Sequence, residues 1–85
     1  MCSYIVEKTA LTGSAKAAGS WTPITTAVVS VDHPSHAPLD HALIVDFVNA
    51  ERPVSERVAL ELSVASAREL ISCMEAALDA FGESV

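Results

Sequence analysis

The sequence predicts an α+β domain, a four-stranded antiparallel sheet in the order β-β-β-β-α with a C-terminal helix packed on one face. Three observations carry that prediction. Val58, Leu60 and Leu62 alternate with Arg57, Ala59 and Glu61, the period of a half-buried strand. Val64, Ala67, Leu70, Ile71, Met74, Ala77, Leu78 and Phe81 recur at spacings of three and four, the stripe of an amphipathic helix. The connections between strand candidates are short, which favours a meander over crossovers.

Taken in order, residues 3–11 are rich in strand formers, with Tyr4, Val6 and Lys8 on one parity and Ile5, Glu7, Thr9 and Leu11 on the other. Residues 12–20 carry two glycines among small side chains and are expected to be a loop. Trp21 to Asp32 forms the second strand, with Pro23 near its start, where a missing N–H does least harm. The third strand, His41 to Asn49, is apolar on both parities and is expected to be central and covered on both sides. Residues 49–55 form a polar turn before the fourth strand, Arg57 to Leu62. Ser63 is placed to cap the helix, Ser66 with Glu69 forms a competing capping box, and Gly82 supplies the stop.

Eighty-five residues form a single domain, 1–85. A chain this short buries only about 60–65% of its unfolded surface. Its composition is nevertheless 51% hydrophobic and 19% charged. Some apolar surface is left over, so a two-fold homodimer is the expected state. The net charge is −6, and Lys8, Lys16, Arg52, Arg57 and Arg68 are scattered rather than striped. That argues against nucleic acid and against an anionic membrane surface, both of which need clustered cations. No apolar run approaches the ~20 residues of a membrane span, and the start lacks the pattern of a signal peptide. Two cysteines, Cys2 and Cys73, make no disulfide framework, so a reduced, cytoplasmic setting is expected.

The chemistry concentrates in residues 32–41, Asp-His-Pro-Ser-His-Ala-Pro-Leu-Asp-His. His33, His36 and His41 are three imidazoles suited to Zn, Cu, Ni or Fe, and Asp32 or Asp40 would add a carboxylate ligand or fix a tautomer. Asp46 is a further carboxylate for that role. Pro34 and Pro38 stiffen the loop. The spacing matches no zinc-finger or metalloprotease signature, and His36 has to fold back from the loop tip to meet the other two. The plainer role for all three histidines is that of polar loop residues, one of them packed. A histidine beside Asp32 or Asp40 would also serve as a general base.

Other candidates are weaker. Cys2 would present an amine and a thiolate if Met1 were removed, but a small buried side chain is the commoner use of such a cysteine. Cys73 lies beside the helix stripe and is expected to be core. Lys16 in its Gly/Ser stretch lacks the context of a phosphate loop. Trp21 is expected to be half-buried at a strand start. Lys8, Arg57 and Glu61 read as solvated charge.

The Met-Cys-Ser-Tyr-Ile-Val-Glu-Lys-Thr opening, Thr12-Gly13-Ser14 with Lys16, Trp21, and the Asp-His-Pro-Ser-His-Ala-Pro of residues 32–38 are similar to a family of short actinobacterial proteins known as a domain of unknown function. The resemblance runs over nearly the whole chain and implies a bacterial, cytoplasmic setting. It implies no activity. Two functions are therefore expected from the residues themselves. One is a metal- or small-ligand-binding domain using the histidine loop, extending to an accessory enzyme acting on a small molecule. The other is a structural or interaction module that dimerises through an apolar sheet face.

Overall fold

Four strands and one helix organise residues 5–82, the span that the computed structural model describes; Cys2 and Tyr4 lie outside it. Strand β1 (Ile5–Ala17) pairs antiparallel with β2 (Ser20–Asp32), β2 with β3 (Ala42–Val48), and β3 with β4 (Val58–Leu62). The sheet order is β1-β2-β3-β4, the meander that short connections favour. Helix α1 (Val64–Phe81) follows β4 directly.

The first hairpin corrects the expected loop over residues 12–20. Only Ala18 and Gly19 turn, at φ 51° and 82°, the two left-handed residues of a tight hairpin. Because two residues suffice, Gly13 to Ala17 stay extended and pair with Ile24 to Ser20. A register shift between Ala10 and Gly13 absorbs the irregularity. β2 meets β3 only from Thr26 onward. The outer half of the hairpin is therefore a two-stranded arm, and Trp21 on it is exposed rather than half-buried. The tip of the arm faces Ser55, Glu56 and Arg57 across a recess of about 250 Å³. The turn after β3 is tied to the base of the arm. Asn49 donates from Nδ2 to the Pro23 carbonyl at 2.9 Å, and the Ala50 N–H donates to Thr25 Oγ1 at 3.0 Å.

Directly opposed residues share a side of a sheet, so the register sorts the two faces. One is apolar, with rows Ile5-Val31-Leu43-Leu62, Glu7-Val29-Val45-Leu60 and Thr9-Ala27-Phe47-Val58. The other is mixed, with rows Val6-Ser30-Ile44-Glu61 and Lys8-Val28-Asp46-Ala59. Helix α1 lies on the apolar side: Val64, Ala67, Arg68 and Ile71 border Val31 and Leu43. Its start is capped as expected, with Ser63 Oγ accepting from the Ser66 N–H at 3.0 Å. At its end Gly82, at φ 80°, donates to the carbonyls of Asp79 and Leu78.

The interior is thin. Among the described residues the buried apolar side chains are Ala27, Ala42, Val45 and Ala67, none of them large except valine. Only the first turns of α1 cover sheet, and Ala67 is the one helix residue buried. Leu70, Ile71, Met74, Leu78 and Phe81 remain exposed, and so does Cys73, against the expectation that it is core. Beyond Ala42 and Val45, the side chains of β3 are half-buried, so the strand is interior to the sheet but only partly covered on its faces. No helix among the described residues is long and apolar enough to cross a membrane, which says nothing of strands.

Candidate functional site

The residues between β2 and β3 form a loop with a closed neck and an anchored tip. At the neck, Asp32 ends β2 and its Oδ1 accepts from the His33 N–H at 2.7 Å. His33 donates from Nδ1 to the Asp40 carbonyl at 2.9 Å, which ties the start of the loop to its end. The rings of His33 and His41 stack with centroids 4.9 Å apart and planes 29° from parallel. His41 Nδ1 lies 3.4 Å from the exposed carboxylate of Asp40. Four of the residues singled out from sequence, Asp32, His33, Asp40 and His41, thus meet at one place.

The tip is held from a different strand. Glu61, on the mixed face of β4, accepts three backbone N–H groups: Ser35 at 2.6 Å, His36 at 3.0 Å and Ala37 at 2.8 Å. Three donors converging on one carboxylate favour its charged form. The Ala37 and Ser35 N–H groups contribute most to drawing its pKa below the usual 4.5. Partial desolvation opposes them, while the His36 N–H and the nearby His36 charge add to the lowering. Glu61, still partly open to solvent, is therefore a latch as well as the surface charge expected of it. The Leu39 N–H donates to the Ala37 carbonyl at 2.8 Å and bends the chain back toward the neck.

Latching the tip over the mixed face shapes an open concavity of about 730 Å³. Its floor is Ser30, Ile44 and Ala59, one wall is the latched loop, and the far rim is Asp46 with Arg57. Arg57 Nε stands 3.3 Å from Asp46 Oδ1, a half-exposed pair. Of the three histidines, His36 alone borders this space. The structure thus separates the histidines, with His33 and His41 at the neck and His36 at the tip. Among the described residues no group of three His, Cys, Asp or Glu side chains is arranged to hold one metal ion.

Sequence reasoning placed the loop but missed Glu61, Arg57 and Ser30 as parts of the site. A carboxylate at the outward parity of a strand ordinarily reads as surface charge. The available signal was positional, since register sets Glu61 opposite Ile44, two residues after β3 begins, beside the end of the loop.

Neither the curated proteins nor the solved structures gave a match to this chain. One family model does match, and it spans residues 1–85. The chain belongs to that family, DUF6295, a family of unknown function.

Proposed function

We propose that the chain binds a small polar molecule in the concavity between the histidine loop and the mixed face of the sheet. The observation that carries this reading is the Glu61 latch, which builds a space of about 730 Å³ before any ligand arrives. That volume falls within the ~300–1,000 Å³ common to small-molecule sites. The border offers a hydroxyl (Ser30), an imidazole (His36), a guanidinium (Arg57) and a carboxylate (Asp46). A zwitterion or hydroxy acid fits that set, with its carboxylate on Arg57 and its donor groups on Asp46 and His36. Glu61 already accepts three N–H groups, so it holds the wall and leaves proton transfer to His36 in any accessory-enzyme version of this reading.

The test is a backbone-amide NMR titration with a panel of amino acids, hydroxy acids and polyols at millimolar concentration. Shifts confined to Ser30, residues 35–37 and Arg57, abolished by Arg57→Gln, support the proposal. A panel in which nothing moves these amides sinks it.

A transition metal at the loop neck is the second reading, favoured by the gathering of Asp32, His33, Asp40 and His41 there; no three of them converge as they stand, so the stacked rings would have to turn to bind it. Zn, Cu, Ni or Fe would take imidazole nitrogens there, with Asp32 or Asp40 as the oxygen ligand or tautomer-fixing acceptor. His36, held at the tip, would take no part. Zn²⁺ added to the same sample would then perturb the His33 and His41 side chains and leave His36 alone. Equal perturbation of all three histidines, or of none, would count against it.

A further inference from the structure

We infer that the apolar face of the sheet is covered by the outer half of α1 from a second copy of the chain, and reciprocally, in a two-fold dimer. This is independent of the ligand proposal, which concerns the opposite face. Three observations meet here.

The first is area. A folded monomer of 8.9 kDa is expected to expose about 4,800 Å², against the 6377 Å² found. The surplus of roughly 1,500 Å² is that of the whole chain, the hairpin arm included, and leaves room for the ~800 Å² per partner that a standard stable interface removes. The radius of gyration agrees, at 14.0 Å against the ~12 Å of a compact chain of this length.

The second is the way the surplus is distributed. Exposure climbs along the helix stripe, from 51% at Ile71 through 54% at Met74 and 62% at Leu78 to 73% at Phe81. The first turns of α1 sit on Val31 and Leu43, and the remainder leaves the sheet behind. Val29, Phe47, Val58 and Leu60 of the apolar face are only partly buried.

The third is self-complementarity. An exposed apolar helix stretch and an incompletely covered apolar sheet face, buried at Ala27 and Val45 but only partly so around them, occur on one chain, and a two-fold axis brings each against the other's counterpart. The two surfaces also match chemically, because Glu7 is the only charged residue in the three rows of the sheet face. A net charge of −6 on each copy opposes association, so the contact is apolar and strengthens with added salt.

The test begins with sedimentation equilibrium of the untagged full chain at micromolar concentration. The expected mass is twice 8.9 kDa. Leu78→Asp with Phe81→Asp, at positions exposed in the protomer, should weaken dimerisation by roughly 100-fold or more while circular dichroism stays unchanged. Isotope-filtered contacts in a mixed labelled and unlabelled dimer should join Met74, Leu78 and Phe81 to Val29, Phe47 and Leu60. A monomeric wild type overturns the inference. So does a dimer indifferent to the double substitution, or one whose intermolecular contacts run only from helix to helix.

Discussion

The two faces of this sheet leave their work unfinished in opposite ways. On the mixed face, one carboxylate and three backbone N–H groups fold a loop down and leave a hollow of mixed polar and apolar lining beneath it. On the apolar face, a helix begins to cover the strands and then departs from them. The first arrangement is directional and local, so its geometry is complete within one protomer. The second relies on burial, which has no direction and scales with area, and a chain of 85 residues lacks the area. The shape of the hollow is therefore set by hydrogen-bond geometry, whereas the cover of the apolar face is set by available area.

The comparison is broken most severely at Val45, the buried centre of the apolar face. Val45→Asp leaves a carboxylate without a partner there and should cost more than about 3 kcal/mol, which abolishes the cooperative thermal transition. Its neighbour Ile44 points into the hollow and is half-buried. Ile44→Thr should cost only about 1 kcal/mol, measured by urea titration. Equal losses at the two positions would mean that the faces do not differ as described.

Next comes the latch. Glu61→Gln removes the charge that the three N–H groups converge on, so the melting temperature should fall by a few degrees while the sheet survives. Hydrogen exchange is the sharper measurement. The amides of residues 35–37 should lose protection, and those of β2 and β3 should not.

Acid should act on the same group. The Glu61 pKa is lowered in the folded protein, so its contribution is fully present above the ordinary value of 4.5 and is lost as pH falls through the lower folded value. Wild type should therefore lose protection at residues 35–37 as pH is taken below about 4.5. Glu61→Gln should already be unprotected and show no such step.

The smallest effect belongs to the hairpin turn, outside both faces. Ala18 holds φ 51°, a left-handed conformation that costs a residue with a Cβ but suits asparagine. Ala18→Asn should stabilise by about 0.5–1 kcal/mol in thermal or urea unfolding, with no effect on either face.

How much of this was legible beforehand follows from which interactions leave a trace in local sequence. The meander was legible, because Val58-Ala59-Leu60-Glu61-Leu62 carries its own period and the connections are short. The full length of β1 was not. Residues 12–17 are too small to alternate, and they are extended because β2 opposite them is. The histidine loop was legible as a place of unusual composition. Its anchoring was not, because backbone N–H groups are alike at every residue and the acceptor lies some 25 positions away at Glu61. The stripe of α1 was plain, but a stripe records that something apolar must be met. It does not record whether that surface belongs to the same copy.

Trp21 is the single tryptophan, and it stands on the two-stranded arm with 67% of its surface exposed. The intrinsic fluorescence of the folded protein therefore comes from an indole already in contact with water. Unfolding should change its emission little, so a fluorescence melt would understate the cooperativity of the sheet. The same property makes Trp21 a selective reporter. A quencher reaches it freely unless something docks on the arm, while Trp21 does not border the hollow where the proposed ligand would enter. Fluorescence quenching thus reads the arm separately from the hollow.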